Sequence, residues 1–130
     1  MDSGARVTAL VRDTYSDSLL AYMKYDKKIA VVQGQLEDYE SVVAALGKSS
    51  ADTIFHLGAQ PIITSAKESP RATFETNIRG TWNVLDAARV VGNIRRVVVA
   101  SSVNAYGSQK VPYQESYELK GSYPYDVSKS

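Results

Sequence analysis

The chain has no cysteine and only one histidine, His56. Without cysteine there is no disulfide bond, no thiol catalysis and no cysteine metal site, and one histidine cannot supply a histidine pair for zinc. We therefore predict no metal centre and interpret His56 as a buried histidine of the core. The absence of cysteine is also typical of the reducing cytoplasm, where we expect the protein to work.

Strong charge and long apolar runs are absent as well. The formal net charge is +1, and basic pairs such as Lys27-Lys28 are scattered along the chain, so no nucleic-acid partner is expected. No apolar run approaches the ~20 residues that cross a membrane, and the first residues lack the apolar core of a signal peptide. No membrane partner is therefore expected. The 130 residues are at most one domain, which we place at residues 1–130.

Short apolar, β-branched runs alternate with stretches of helical periodicity. This alternation is typical of an α/β fold with a parallel sheet. Residues 14–28 are expected to be irregular with a short helix near residues 18–23, and residues 60–65 are expected to be a loop. The predicted strands lie at residues 6–11, 29–32, 53–57 and 97–100.

Two longer helices are predicted between these strands. The first begins at Asp38 and ends at Gly47, and the second runs from Ser69-Pro70 to Gly92-Asn93. Gly80 in the second helix costs about 1 kcal/mol relative to alanine, which indicates a close approach to a neighbour. The side chains expected to pack inward are Val42, Val43 and Leu46 of the first helix, and Phe74, Ile78, Leu85 and Ala88 of the second. Trp82 is expected to serve packing and not cofactor stacking.

The last third of the chain carries the residues with the most definite chemistry. The fourth strand delivers Ser101 and Ser102 at its carboxyl end. Pro124 then begins a helix on which Tyr125 and Lys129, four residues apart, share a face. The ammonium stabilises the phenolate, so this pair can take and return a proton, while the Ser102 hydroxyl can bind the same substrate oxygen.

Four motifs in this order resemble the extended short-chain dehydrogenase/reductase family, in its sugar-nucleotide epimerase and 4,6-dehydratase branch. They are residues 55–60, Asn77-x-x-Gly80-Thr81, Ser101-Ser102-x-x-x-Tyr106-Gly107 and Pro124-Tyr125-x-x-Ser128-Lys129. The resemblance implies a Rossmann-type doubly wound parallel sheet, NAD or NADP as cofactor, and a nucleotide-sugar substrate that loses hydride from C4. It also implies that Ser102, Tyr125 and Lys129 are catalytic, with Tyr125 as the general base. Intact relatives commonly form homodimers through the helix that begins at Ser69 and the helix that carries Tyr125.

The resemblance also implies a set of cofactor contacts. Asp13 would accept from the adenosine ribose, whereas Arg12 would favour a 2′-phosphate, so NAD and NADP both stay open. Gln35 stands where the family usually has an acid that binds the adenine amino group, and its carbonyl can still accept. Asn77 resembles the family's asparagine that joins its helix to the active-site strand, so a structural role is expected at least as much as a cofactor contact. The implied contacts are Arg12, Asp13, Gln35, Leu36, Gly58, Ala59, Gln60, Asn77, Ser101, Tyr125 and Lys129.

Two parts of the family's fold have no counterpart in these residues. The first strand with its glycine-rich turn is missing, and in the strand order 3-2-1-4-5-6 that strand is central. Its loss leaves two inner strand edges unpaired. The C-terminal substrate-binding part is missing too. We therefore expect a partial Rossmann-like domain, a fragment that is inactive alone.

Val103 and Asn104 depart from the family pattern at the site. The 4,6-dehydratases follow the catalytic serine or threonine with acids or Asp-Lys, but neither of these side chains is an acid or a base. Oxidation and epimerisation at C4 stay open, and dehydration loses its proton carriers. Two alternatives are a non-catalytic remnant that serves as a binding or interaction module and a simple carbonyl reductase. The tyrosines 113, 117 and 123 either wall a sugar-nucleotide pocket or pack a long loop.

Overall fold

A computed structural model describes residues 4–13 and 18–130 of the chain. Within these ranges the strands are β1 (Thr8–Val11), β2 (Ala30–Gln33), β3 (Thr53–His56) and β4 (Arg96–Val99). The α-helices are α1 (Leu19–Tyr22), α2 (Tyr39–Ser49), α3 (Ile63–Glu68), α4 (Pro70–Phe74), α5 (Gly80–Val91) and α6 (Pro124–Lys129). A π-helical turn, Glu75–Arg79, joins α4 to α5, and 3-10 turns form at Tyr25–Lys27 and Val103–Tyr106.

The strands form two separate parallel sheets. β1 pairs with β2, with Thr8 opposite Ala30, and β3 pairs with β4, with Thr53 opposite Arg96. Within the described ranges no strand joins β1 to β3, so each sheet has two strands. The predicted α/β class is therefore confirmed, and among the described residues the sheet is divided between β1 and β3.

The core lies between α2, α5 and β3. Val42, Val84 and Ala87 are buried there, and Ile54 of β3 packs against them. Val43 and Leu46 join the same cluster, which confirms the predicted inner face of α2. The predicted end at Gly47 is wrong, because α2 continues to Ser49 and it is Ser50, at φ 51°, that adopts the left-handed conformation. The Ser49 hydroxyl donates to the carbonyl of Leu46 at 2.8 Å and satisfies one of the last carbonyls.

The predicted second helix is interrupted, which changes its buried face. Ala88 is buried as expected. Because the π-helical turn shifts the register between α4 and α5, the other inner positions differ from those expected, and most of them carry small or polar side chains. Ile78 and Leu85 are exposed, so the prediction that they pack inward is wrong, and Trp82 is exposed as well. The buried residues of this segment are Thr73, Asn77, Gly80, Asn83, Val84, Ala87 and Ala88.

Gly80 lets this segment approach the end of β2. A Cβ atom on Gly80 would lie 2.8 Å from the Cβ atom of Leu36, so the predicted close approach is confirmed. The helix ends at Gly92, at φ 77°, as expected. The loop predicted at residues 60–65 is wrong in its second half, because α3 begins at Ile63 and fully buries Ala66.

The region before β2 agrees with the prediction where the structure describes it. The short helix α1 begins after Ser18, whose hydroxyl accepts from the amide of Ala21 at 3.4 Å. Residues 14–17, which belong to the predicted irregular segment, lie outside the described residues. In the described parts of the chain, none of the helices has the length and apolar character needed to cross a membrane.

Candidate active site

The carboxyl end of β4 carries the two predicted serines. Ser102 precedes the 3-10 turn Val103–Tyr106, and its hydroxyl accepts from the amide of Asn104 at 3.2 Å. Ser101 is exposed, and its hydroxyl donates to the carbonyl of Lys129 at 3.1 Å. Ser101 therefore ties the strand end directly to α6.

Helix α6 is held against the same strand end by its last residue. Pro124 occupies the first turn, and the buried carboxylate of Asp126 accepts from the amide of Tyr123 at 3.4 Å. The Lys129 ammonium donates to the carbonyl of Ala100 at 2.8 Å. Burial lowers the pKa of Lys129 from its ordinary value. These contacts attach α6, which carries the half-buried Tyr125, to the end of β4.

Asn77 connects three elements at the back of this site. Its carbonyl oxygen accepts from the amide of Gln60 at 2.7 Å, and its amide nitrogen donates to the carbonyl of Gln60 at 3.2 Å and to the hydroxyl of Ser128 at 2.8 Å. The Ser128 hydroxyl in turn donates to the carbonyl of Tyr125 at 2.7 Å. Asn77 therefore links the π-helical turn to the loop after β3 and to α6.

Ser128 is the functional residue that the sequence reasoning left outside the site. Ser128 belongs to the Tyr125-x-x-Ser128-Lys129 motif, but its position in the motif did not indicate a hydrogen bond to another part of the chain. The bond to Asn77 comes from a residue 51 positions away, which a local pattern does not reveal.

His56 is a core histidine, as predicted. Its Nε2 lies 3.0 Å from the hydroxyl of Thr81, which donates to the carbonyl of Asn77 at 2.5 Å. Because the single Thr81 proton goes to Asn77, His56 must be the donor, so its Nε2 carries hydrogen. Burial, and secondarily the charge of Lys129, lower the pKa of His56. The histidine is therefore neutral near pH 7.

A second group of predicted residues lies at the ends of β1, β2 and β3. Arg12 forms an ion pair with Asp13 at 2.7 Å, and both side chains are exposed. The carbonyl of Leu36 accepts from Asn83 at 2.8 Å, and the amide of Gln35 donates to the hydroxyl of Ser41 at 3.2 Å. Arg12, Asp13, Leu36, Gly58 and Ala59 line one cavity of about 1270 Å³.

The structure thus brings the predicted residues together in two groups. One comprises Gln60, Asn77, Ser101, Ser102, Tyr125 and Lys129 around the end of β4. The other comprises Arg12, Asp13, Gln35, Leu36, Gly58 and Ala59 at the ends of β1 to β3. Since the carboxyl ends of the strands in a doubly wound sheet face one crevice, both groups lie on the side where ligands bind.

The loop between the 3-10 turn and α6 is packed by its own aromatic residues. Tyr113 stacks on Tyr106 with 5.4 Å between ring centroids, and its hydroxyl donates to the carbonyl of Gly107 at 3.1 Å. These contacts favour the interpretation that Tyr113 packs the loop over the interpretation that it walls a sugar-nucleotide pocket. Tyr123 is exposed, and the Lys67 ammonium lies 4.5 Å from its ring centroid.

Comparison with known proteins gives the family. The family model described as GDP-mannose 4,6 dehydratase matches residues 1–130. The chain belongs to this family. The resemblance that the four motifs indicated is therefore confirmed.

Several curated relatives are dehydratases or epimerases of nucleotide sugars. The chain is 32% identical over 98 residues to a CDP-glucose 4,6-dehydratase of Salmonella typhimurium, covering 74% of the chain and 27% of the relative. It is 26% identical over 132 residues to a GDP-mannose 4,6-dehydratase of Sordaria araneosa, covering 99% of the chain and 24% of the relative. The chain thus spans about a quarter of the length of these relatives.

Solved structures of similar proteins share the fold. A UDP-glucose 4-epimerase of Stenotrophomonas maltophila with bound NAD superposes with a TM-score of 0.86 at 22% identity, over 98% of this chain and 39% of that one. A dTDP-glucose 4,6-dehydratase of Streptomyces venezuelae with bound NAD gives 0.83 at 29% identity, over 95% and 38%. The predicted partial Rossmann-type fold is therefore confirmed.

Proposed function

We propose that these residues form the cofactor-facing catalytic part of an NAD-dependent enzyme that oxidises the C4 hydroxyl of a nucleotide sugar. The observation that carries the proposal is the attachment of α6 to the end of β4. Lys129 donates to Ala100 and Ser101 donates to Lys129, so α6, which carries Tyr125, is attached to the strand end that carries the two serines.

The proton chemistry follows from these side chains. Tyr125 is the general base that takes the proton of the sugar C4 hydroxyl, and the Ser102 hydroxyl donates to the same oxygen and holds it in place. Lys129 supplies a positive charge on the same face of the helix. A nicotinamide held at this site would supply the hydride acceptor for C4, so that the hydroxyl would be oxidised to a ketone.

The residues at the strand ends fit a dinucleotide. Asp13 supplies a carboxylate for the adenosine ribose, and Gln35 offers a side-chain carbonyl beside the adenine. Gly58 and Ala59 present backbone with little side chain, and Lys129 would bind the nicotinamide ribose. We infer NAD rather than NADP from a similar protein of known structure, since the exposed Arg12-Asp13 ion pair engages both side chains equally and does not decide between the two cofactors. The dehydratase of Streptomyces venezuelae, which binds NAD, supports this choice.

The sugar nucleotide is inferred from the relatives, and the reaction type from two side chains. Val103 is exposed, and the amide of Asn104 is bound to Ser102, but neither side chain can carry a proton. This favours oxidation or epimerisation at C4 over loss of water. The same pair and the divided sheet favour the second candidate, a non-catalytic module that binds the cofactor without turnover.

We include a homodimer in the proposal. Ile78, Trp82 and Leu85 are exposed on one side of the α4–α5 segment, and Phe74 and Trp82 line a shallow surface cavity there. A second copy would cover these apolar side chains. Sedimentation of the wild-type chain and of the Trp82→Glu variant tests this proposal. We expect wild type to dimerise and the variant to remain a monomer, and a wild-type monomer at all concentrations contradicts the proposal.

Turnover tests the role of Tyr125. In a chimera, the chain replaces the segment that it matches in the Salmonella relative, and oxidation of CDP-glucose at C4 is followed as the formation of NADH. We expect Tyr125→Phe to lower kcat by about 10²–10⁴-fold, because it removes the proton acceptor. Tyr117→Phe, in the loop, is the matched control and should keep the rate. Equal rates for the chimera and its Tyr125→Phe variant would refute the mechanism, and NAD binding without any turnover would favour the second candidate.

A further inference from the structure

Glu37 places an acid at the edge of the sheet that would receive the adenosine end of the proposed cofactor. It lies four residues after the end of β2, and Arg12 and Asp13 directly follow the end of β1. Since β1 and β2 are parallel, with Val11 opposite Gln33, their carboxyl ends meet at one edge of the sheet. Arg12, Asp13 and Glu37 all line the large cavity.

The carboxylate of Glu37 is held in place by a residue of another element. It accepts a hydrogen bond from the hydroxyl of Thr76 in the π-helical turn, 39 residues further along the chain. The ion pairs found in the described ranges do not include Glu37. Because a hydroxyl is a neutral donor, this contact fixes the carboxylate without cancelling its negative charge.

The charges at the ends of β1 and β2 do not cancel. The Arg12 guanidinium is paired with the Asp13 carboxylate at 2.7 Å, so these two groups together are neutral. Glu37 adds a further negative charge that acts on the same guanidinium. The hydrogen bond and the charge of Asp13 raise the pKa of Arg12, and the charge of Glu37 raises it further. The three side chains therefore carry one net negative charge.

Arg79 does not neutralise this charge. The charge of Glu37 acts on it too, but the hydrogen bond and the charge of Glu75 contribute more to the raised pKa of Arg79. The Arg79 guanidinium is paired with the Glu75 carboxylate at 2.8 Å. Its positive charge is therefore already offset by its own partner in the π-helical turn.

We propose that Glu37 is a specificity-determining residue, whose carboxylate makes these strand ends disfavour an adenosine that carries a phosphate on its 2′-oxygen. This inference rests on the proposed cofactor site and names the group that selects NAD there. The 2′-hydroxyl of NAD is neutral, and the 2′-phosphate of NADP brings about two negative charges. At a partly exposed edge, repulsion from one carboxylate lowers the affinity for NADP by about 3–10-fold.

Calorimetric titration of the chain with NAD and with NADP tests this role. Glu37→Gln removes the charge but keeps an oxygen that can accept from Thr76. We expect this variant to lower the Kd of NADP by about 3–10-fold and to leave that of NAD within about twofold. Glu37→Asp keeps the charge and should keep the wild-type preference. Glu115→Gln, in the exposed loop before α6, makes the same change of net charge and should alter neither value.

Three outcomes of the titrations would be adverse. Equal NADP affinity in wild type and Glu37→Gln overturns the proposal, and so does an equal gain in Glu115→Gln. If NAD binds in either case, the cofactor site itself stands and only the role of Glu37 falls. Failure of wild type to bind either nucleotide contradicts the cofactor site and this inference together.

Salt provides a second readout, which needs only the wild-type chain. The screening length falls from about 10 Å at 0.1 M salt to about 3 Å at 1 M. Because screening weakens the repulsion of the 2′-phosphate, the ratio of the Kd of NADP to that of NAD should fall as salt is added. A ratio that stays constant or rises would mean that the 2′-phosphate is not repelled, and it overturns the proposal even if Glu37→Gln does not fold.

Discussion

Asn77 determines the geometry of the site at the scale of single residues. It is 3% exposed and makes three hydrogen bonds, to both backbone groups of Gln60 and to Ser128. Asn77→Ala leaves these partners without their bonds, each at a cost of about 1–3 kcal/mol if no water replaces it. We expect the free energy of unfolding to fall by about 2–4 kcal/mol in urea melts.

Asn93→Ala is the matched control for Asn77. Asn93 is exposed and makes a single recorded bond, to the carbonyl of Ala51 at 2.9 Å. Its loss should cost about 1 kcal/mol or less. A similar effect of the two substitutions would contradict the central role of Asn77.

Because the pKa of His56 is lowered in the folded chain, we expect the free energy of unfolding to depend on pH. Its folded-state pKa is lowered below the ordinary 6.5, chiefly by burial and then by the charge of Lys129. Between the folded pKa and 6.5 the unfolded chain binds more protons, so stability falls as the pH is lowered through this window. Urea melts across it should show this loss in wild type and not in His56→Gln. Because His56 is the only histidine, the imidazole signal in an NMR titration gives its pKa in the folded chain directly. A titration midpoint at or above 6.5 would refute the claim that burial lowers this pKa.

At the scale of elements, the π-helical turn and Gly80 bring the long helical segment against β2. Gly80→Ala would gain up to about 1 kcal/mol of helix propensity. The new Cβ atom, however, would lie 2.8 Å from the Cβ atom of Leu36, which no side-chain rotation relieves. We expect a net loss of stability, measured as a lower midpoint of thermal unfolding.

Gly47→Ala is the matched control for Gly80. Gly47 lies in α2, and a Cβ atom there would have nothing within 4 Å. This substitution should stabilise the chain by up to about 1 kcal/mol. If both variants shifted the midpoint in the same direction, contact with Leu36 would not be what requires Gly80.

Local patterns in the sequence predicted the positions of the helices and strands better than they predicted which side of each helix is buried. The strands and the inner face of α2 follow from apolar runs and helical spacing, and Gly92 marked a helix end through its left-handed conformation. The spacing rule failed for Ile78 and Leu85, because the π-helical turn breaks the period. Helix α3 was missed because its polar residues gave no apolar stripe; only Ala66 is buried there.

At the scale of the whole molecule, the motifs predicted which residues come together, but not how they are held. The Tyr125-x-x-x-Lys129 spacing placed two groups on one face. The bonds from Lys129 to Ala100 and from Asn77 to Ser128 join residues 29 and 51 positions apart, which only the folded chain reveals. The divided sheet was predictable because the strand that normally lies at its centre has no counterpart in the sequence.

The most direct test of the account is a thermal melt of the chain with NAD and with NADP. A ligand that binds only the folded state stabilises it by about 2.7 kcal/mol at a hundredfold excess over Kd. We predict that NAD raises the midpoint more than NADP. Asp13→Asn should abolish that preference, whereas the control Asp52→Asn, at the amino end of β3, should keep it. A midpoint that neither nucleotide moves would contradict the claim that these strand ends form a cofactor site.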